Sequence, residues 1–419
     1  MRVLFLTNMY PPYDIGGYEQ ICQEVAEGLK NRGHSVKILT SRYGVEASSN
    51  GEEDVIRSLY LQADLNYYRP ADFFLRWPAQ EKFNLFQLQS VVESFTPDVV
   101  VIWGMYLLSL NLPYWLERWM PAQVVYYIAS YWPTDEDPHR IYWRLTARRW
   151  IAEQFKRPLR SLAFSKLKMD QYPPSLKFSR TLCCSEYVKS RLVMAGAIPP
   201  ESGVLHIGID PAPFFTSAKL SQLSGVKPLR MIYFGRLIED KGVHTAIQAL
   251  NILKTQDLAN HVQLTVLGSG HPEYEARLHS MVSESGLGDQ VKFAGKISRD
   301  AVPAVLSQFD VFLFTSIWPE PFGRTIIEAM LANLIVIGSD VGGSREIFAE
   351  YDGDLLYPAG DAGALASRIA LLLSGSKDTG ELIRRGKALA LGKFSLDNMV
   401  AGIETYLLNV IRSNFSKVA

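Results

Sequence analysis

The sequence predicts an α/β protein made of two doubly wound, Rossmann-like domains facing each other across a cleft. One unit recurs along the chain, a short apolar strand followed by an amphipathic helix, and such repeats build parallel sheets through right-handed crossovers. With 419 residues and 47% hydrophobic content, the chain exceeds what a single core usually organises. Between two runs of the repeat, residues 211–229 (PAPFFTSAKLSQLSGVKPL) are rich in Pro, Ser and Gly and lack periodicity, as a linker would. This sets an N-terminal domain at 1–210, a C-terminal domain at 211–394 and a final amphipathic helix at 395–419.

In the first half, RVLFLTN reads as a strand, YPPYDIGG as a loop, YEQICQEVAEGLKNRG as a helix stopped by Gly33, and SVKILT as the next strand. PDVVVIWG, QVVYYIAS and RTLCCS continue the strands, EYVKSRLVMAG is a helix, and LHIGID closes the half. The second half repeats the alternation with LRMIYFG, VQLTVLG, VKFAG, DVFLFTS and LIVIGS. Its last element, SLDNMVAGIETYLLNVIRSNF, is expected to pack back toward the N-terminal domain.

An uncharged stretch at 99–116, VVVIWGMYLLSLNLPYWL, is nearly long enough to span a bilayer. Its β-branched start after Thr-Pro-Asp and the breaks at Gly104, Asn111 and Pro113 favour a buried strand followed by a short helix. Basic and acidic residues number 43 each, so no global field attracts nucleic acid. Three cysteines, Cys22, Cys183 and Cys184, are too few for a disulfide framework or a zinc site and suggest a reducing, cytoplasmic setting.

Ligands of doubly wound sheets sit at the carboxyl ends of strands, and three loops there carry chemistry. In YFGRLIEDKG, Arg236 follows a strand and Lys241 precedes a helix opening at Gly242. Two cations beside a helix N-terminus suit a diphosphate; the plain alternative is a solvated pair partnered by Glu239 and Asp240. In SIWPEPFGRTIIEAM, Pro321 keeps Glu320 extended, Gly323 opens a helix with free backbone donors, and Glu328 lies about a turn and a half inside it among apolar neighbours. A carboxylate so placed needs hydrogen-bond donors, although a glutamate near a helix start also gains from the dipole alone. The third loop has Gly16 and Gly17 before the first helix. It lacks the GxGxxG spacing of a dinucleotide site, and its glycines read equally as a close-approach point or a flexible turn.

In this order these motifs resemble the retaining, nucleotide-sugar-dependent glycosyltransferases of family 4, which have the GT-B fold. The resemblance covers nearly the whole chain and is strongest from Leu229 to about Asp361, in YFGRLIEDKG, VLGSG, VKFAGKIS, SIWPEPFGRTIIEAM and IVIGSDVGGSREI. It implies an acceptor-binding N-terminal domain and a C-terminal domain that holds a UDP- or GDP-linked sugar. Arg236 and Lys241 would hold the diphosphate, and the backbone of Phe322, Gly323, Arg324 and Thr325 the sugar and distal phosphate. Glu328 would take the ribose, Gly295, Lys296 and Ile297 would border the base, and Gly268 would lie in the donor site. Glu320 would contact the transferred sugar, and Gly16 and Gly17 would face the donor across the cleft. The reaction is expected to need no metal or cofactor, and the acceptor would be a carbohydrate, a lipid-linked or a small molecule.

One position departs from the family. Many members place a histidine after the strand matching QVVYYIASYWP, where this chain has Ala129 followed by Ser130 and Tyr131. Asp135, Asp137 and His139 lie near it in sequence and are expected to be solvated loop residues. An NDP-sugar epimerase of the same architecture, or a nucleotide-sugar-binding protein impaired in catalysis, are the alternatives. Residues 140–168 interleave basic and aromatic side chains with only Glu153 opposing. They suit either peripheral contact with the inner face of a membrane or, preferably, a lid with Trp143 and Trp150 packed inward.

Overall fold

The computed structural model describes residues 1–45, 53–147, 149–215 and 228–415. Contacts divide the chain into one unit of Met1–Cys184, Val188–Leu205 and Val400–Ala419, and a second of Ser185–Tyr187 and His206–Met399. Most of the expected linker, residues 216–227, lies outside the described residues.

The first unit holds a sheet of seven strands: β1 (Arg2–Leu6), β2 (Ser35–Ser41), β3 (Val55–Leu59), β4 (Val99–Ile102), β5 (Val124–Ile128), β6 (Thr181–Cys183) and β7 (Gly203–Val204). Every pairing is parallel, in the order β3-β2-β1-β4-β5-β6-β7. Because β1 lies between β2 and β4, the chain winds first one way and then the other, which opens a crevice at the carboxyl ends of β1 and β4. The helix Gly17–Asn31 covers the sheet with Ile21, Cys22, Val25, Ala26 and Leu29, spaced three and four apart. Residues 99–116 divide as the sequence predicts, into β4 and the helix Asn111–Trp119. Pro113 sits in the first turn of that helix, where no backbone partner is lost. Among the described residues no helix is long and apolar enough to cross a membrane.

The sequence reading missed β3 and the helix Trp77–Phe95. It also placed the last strand of this half at LHIGID, whereas β7 is the short Gly203–Val204 just before it. The C-terminal helix, Leu396–Phe415, belongs to the first unit from Val400 onward. There Glu404 pairs with Arg32 at 2.8 Å and His34 at 2.6 Å, and Asn414 donates to the carbonyl of Ala122 at 2.9 Å.

The second unit repeats the scheme with β8 (Leu229–Phe234), β9 (Val262–Leu267), β10 (Val291–Gly295), β11 (Val311–Phe314), β12 (Ile335–Ser339) and β13 (Leu356–Tyr357). The order β10-β9-β8-β11-β12-β13 is again all parallel and puts the reversal between β8 and β11. β11 and β12 are buried along their whole length and form the floor of this unit. Their continuous apolar runs suit strands covered on both faces.

Candidate functional site

The loops leaving β8 and β11 meet where the sheet of the second unit reverses. The amides of Ile317 and Trp318 donate to the carbonyl of Asp240 at 2.9 and 3.1 Å, and the hydroxyl of Thr315 donates to the carbonyl of Lys241 at 2.7 Å. Gly242, at φ +64°, lets this crossing happen: a Cβ there would fall 2.1 Å from the carbonyl oxygen of Thr315. The helix Val243–Thr255 starts immediately afterwards, behind a 3-10 turn over Glu239–Lys241.

This crossing brings Lys241 onto Glu320. The ammonium donates to Oε1 of Glu320, and the Ser316 hydroxyl donates to the same oxygen at 2.8 Å. Both charged side chains are partly buried, 24% exposed for Lys241 and 13% for Glu320. The solvated alternative for the basic pair is therefore wrong for Lys241. Glu239 pairs instead with Arg277 at 2.8 Å, and Asp240 serves the crossing through its carbonyl. Arg236 is exposed at the end of β8, and its carbonyl accepts from the Tyr233 hydroxyl at 2.8 Å. Burial pushes the Tyr233 phenol far up, the charges of Tyr274 and Glu320 add to that, and Arg236 opposes it. That phenol therefore stays a neutral hydrogen-bond donor to the Arg236 carbonyl.

Backbone contacts fix the loop after β11. Gly343 donates its amide to the carbonyl of Glu320 at 2.8 Å, and the Ser185 hydroxyl donates to the carbonyl of Pro321 at 2.6 Å. Phe322 is buried, its ring 5.4 Å from His206 and 5.3 Å from Phe394, so its side chain belongs to the packing and not to the surface. Gly323 caps the helix Arg324–Leu331 with a positive φ, and Thr325 is half-buried in its first turn. His206 is held in turn by Glu346, at 3.0 Å, whose carboxylate also accepts the amides of Glu186 and Tyr187. Burial would raise that carboxyl, but the hydrogen bonds from His206 and the two amides outweigh it and hold it below the usual range.

Glu328 is buried, 3% exposed, rather than merely poised at a helix start. Its Oε1 accepts from Arg299 at 2.7 Å and from Arg324 at 3.1 Å. Arg299 lies just after Gly295, Lys296 and Ile297, so this ion pair ties the exposed loop leaving β10 to the helix that follows Gly323. Gly268 joins the same edge, donating its amide to the carbonyl of Gly295 at 2.7 Å. A Cβ on Gly268 would lie 1.8 Å from the carbonyl oxygen of Gly235, so only glycine lets the loops after β8 and β9 approach.

The second unit thus collects Arg236, Lys241, Gly268, Gly295–Ile297, Glu320, Phe322–Thr325 and Glu328 along one sheet edge. Sequence reasoning missed Ser316, Arg299, His206 and Glu346. The spacing of Ser316 four residues before Glu320 is the only local hint, and it is ambiguous in a loop.

Gly16 and Gly17 belong to the first unit. Gly16 is extended, and Gly17 opens the first helix beside Tyr18, whose hydroxyl donates to the carbonyls of Trp103 and Tyr127 at 2.6 and 2.7 Å. Ala129 is buried directly after β5. Two nearby residues are not the solvated groups expected. Asp137 is buried and caps the helix Pro138–Arg144, accepting from the amides of His139 and Arg140. His139 is buried among Phe73, Trp77 and Tyr68, and burial pushes its imidazole down to about 3. In the basic aromatic segment Trp143 is buried as expected, but Trp150 is 74% exposed, which removes one anchor of the lid reading.

Residues 15–213 match the family described as Glycosyltransferase Family 4, and residues 217–389 match Glycosyl transferases group 1. The amylovoran biosynthesis glycosyltransferase AmsK of Erwinia amylovora is 30% identical over 210 residues, 49% of this chain and 50% of that protein. The putative colanic acid biosynthesis glycosyltransferase WcaL of Salmonella typhimurium is 32% identical over 191 residues, 44% of this chain and 45% of that protein. The chain thus spans about half the length of these relatives. Among solved structures, HepE of Anabaena in complex with UDP and glucose superposes with a TM-score of 0.66 at 20% identity, covering 97% of this chain and 98% of that one.

Proposed function

Since the chain belongs to family 4 of the glycosyltransferases and shares their two-domain GT-B fold, we propose that it moves a hexose from a UDP- or GDP-linked donor to an acceptor hydroxyl with retention at the anomeric carbon. The observation that carries this reading is the Lys241–Glu320–Ser316 cluster at the reversal of the second sheet. A cation and a carboxylate are held together where a doubly wound sheet takes its ligand.

In this reading Lys241 and Arg236 meet the diphosphate, and the amides near Gly323 add backbone donors. The bond between the anomeric carbon and the diphosphate oxygen breaks, and the departing oxygen keeps the electron pair. A bond forms from the acceptor oxygen to the same face of the sugar, and the acceptor's proton passes to the leaving phosphate. Glu320 faces the positive charge that grows on the sugar during this step, so its benefit is larger in the transition state than in the ground state. In the same reading Glu328, which Arg299 and Arg324 hold, accepts from the ribose diol. The charge is met by cations and backbone dipoles, so no metal is required.

Two comparisons support the substrate classes without fixing them. HepE holds UDP and glucose, and AmsK is named for the synthesis of amylovoran. A carbohydrate, lipid-linked or small-molecule acceptor fits the proposal. A cytoplasmic setting is part of the same proposal.

The test is incubation of the full chain with labelled UDP- and GDP-sugars and an acceptor panel, in EDTA. Transfer or slow donor hydrolysis in EDTA is expected. Activity lost in EDTA and restored by manganese would overturn the metal-independent reading. An isomerised sugar nucleotide formed without acceptor would indicate an epimerase, and nucleotide binding without turnover would indicate an impaired binding protein.

A further inference from the structure

The amino-terminal end of the first sheet faces away from the crevice that follows β1 and β4. There Arg2 opens β1, residues 96–98 lead into β4 and Gln123 leads into β5. The helices Trp77–Phe95 and Asn111–Trp119 run back antiparallel to the strands, so both finish at this end. Between them lies a groove of about 520 Å³ whose lining includes Trp119, Gln89, Glu93, Thr96, Asp98 and Gln123. No residue of the site described above lies in it.

Part of its wall is an indole held in place. Trp119 is 40% exposed, and Trp115, one turn earlier and 38% exposed, stacks on it with 5.8 Å between centroids and 29° between planes. Trp115 is braced edge to face by Tyr114, whose ring carries the Arg118 guanidinium at 3.4 Å. A contiguous patch of large rings at the rim of a groove is the informative kind of exposure. Much of the remaining lining is polar. Gln89 donates to Glu93 at 2.7 Å and Gln123 to the Pro97 carbonyl at 3.3 Å. The amide oxygens of both glutamines and the second oxygen of Glu93 have no hydrogen-bond partner among the described residues. Arg2, the cation of the lining, is already committed. Its amide donates to Asp98 at 2.6 Å, and its guanidinium donates to the Thr96 hydroxyl and lies 3.6 Å from Asp98. Thr96 stands at φ +45°, rare for a β-branched residue, and the bond from Arg2 helps hold it there.

From this arrangement we infer that the groove is a carbohydrate-binding site in its own right, which takes a neutral oligosaccharide with one pyranose ring against Trp119. The C–H groups on the face of a pyranose carry slight positive charge and meet the negative face of an indole. The hydroxyls round its rim both donate and accept, which suits amide groups and a carboxylate with open positions. An aromatic wall with a few placed polar groups is how a small ligand is gripped and oriented. Charge decides against other occupants. Two helix C-termini bring partial negative charge to the groove, Glu93 adds a full one, and Asp98 neutralises Arg2. A phosphate, a nucleotide or an anionic bilayer would meet repulsion there. A wholly apolar ligand would bury the open amide and carboxylate oxygens without donors. The five residues of β1, about 17 Å of strand, separate this end of the sheet from the Gly16–Gly17 loop, so an occupant leaves the crevice open. The inference does not rest on the transfer reading.

Calorimetric titration of the full chain with cellohexaose and with maltohexaose, in the absence of nucleotide, tests it. Saturable binding of at least one hexasaccharide is expected, and none of sorbitol, which has the hydroxyls but no ring face. Trp119→Ala should weaken the binding by about tenfold or more, while Trp119→Phe keeps most of it and both leave nucleotide affinity unchanged. Should Trp119→Ala fold poorly, Gln89→Ala with Glu93→Ala removes two exposed polar side chains of the groove. That variant is expected to bind roughly threefold more weakly or worse, at an unchanged melting temperature. Absence of saturable binding by either hexasaccharide, binding equal in wild type and all variants, or sorbitol bound as tightly as the hexasaccharides would each overturn the inference. So would a wild-type dimer in light scattering that Trp119→Ala makes monomeric, since the groove would then belong to a second copy of the chain.

Discussion

Lys241→Ala separates the two functions carried by one ion pair. In the free protein, Lys241 and Ser316 both donate to Oε1 of Glu320, and the carboxylate is 13% exposed. Removing the ammonium leaves a partly buried carboxylate with Ser316 alone on that oxygen. The cost should lie between those of an exposed and a buried pair, about 1–2 kcal/mol of stability. On the proposed diphosphate assignment, the same change should also remove a charge-assisted hydrogen bond in the donor complex, about 1.5–3 kcal/mol, or about 10- to 150-fold in donor affinity. The two effects part in the double variant. Glu320→Gln removes the uncompensated charge, so Lys241→Ala with Glu320→Gln should regain stability but not donor affinity. Glu320→Gln alone should leave donor Kd nearly unchanged while the single-turnover rate falls. Calorimetric titration with whichever of UDP and GDP binds the wild type, together with denaturant unfolding, measures both quantities. Wild-type nucleotide affinity in Lys241→Ala would refute the diphosphate assignment. Recovery of affinity in the double variant would show that Lys241 acts only by neutralising Glu320.

Glu328→Gln keeps an acceptor for Arg299 and Arg324 but removes the charge between them. Donor Kd should rise about 10- to 100-fold at nearly constant turnover, and stability should fall by about 1–3 kcal/mol because Arg324 is itself well buried; no change in either would remove Glu328 from the site. His139 predicts a pH dependence of stability. Its folded value of about 3 lies below the ordinary 6.5, so its contribution is present above 6.5 and is lost as pH falls toward 3. From pH 6.5 to 5 that is about 2 kcal/mol. Burial raises the carboxyls of Asp137 and Glu81, which act in the opposite sense, so the measurable quantity is the difference between wild type and His139→Leu across this range. Parallel stability–pH curves would refute the assignment.

Strands with uninterrupted apolar runs, such as Val99–Ile102 and Val311–Phe314, were legible because burial on both faces leaves no other use for such residues. The strand Val55–Leu59 was not, since it contains Arg57 and Ser58. Arg57 is accommodated by donating to the carbonyls of Tyr10 and Pro11, a contact no local pattern announces. The helix Trp77–Phe95 was hidden for a similar reason. One of its buried positions is Asn84, which exchanges hydrogen bonds with the backbone of Tyr60 at 2.8 and 2.9 Å. His139 and Asp137 looked solvated because Phe73, Trp77 and Tyr172, which enclose them, come from distant segments.

The same distinction applies within the site. Lys241, Glu320 and Glu328 stand out locally, as charges placed where a strand ends or a helix begins. Beside the local partners Ser316 and Arg324, much of what holds them comes from elsewhere in the chain: Arg299 lies 29 residues before Glu328, and Ser185 lies 136 residues before the Pro321 carbonyl it grips. Glu346 fixes His206 across 140 residues, and His206 stacks on Phe322. Each of these contacts constrains the backbone on which Glu320 sits, and none touches its carboxylate. A carboxylate that stabilises charge appearing only in the transition state is effective to the extent that its position is set before the charge develops. On the proposed role of Glu320, the contacts from Ser185, His206, Gly343 and Glu346 are therefore a condition for it to act, and the strand order that brings them together is what the local motif leaves unsaid.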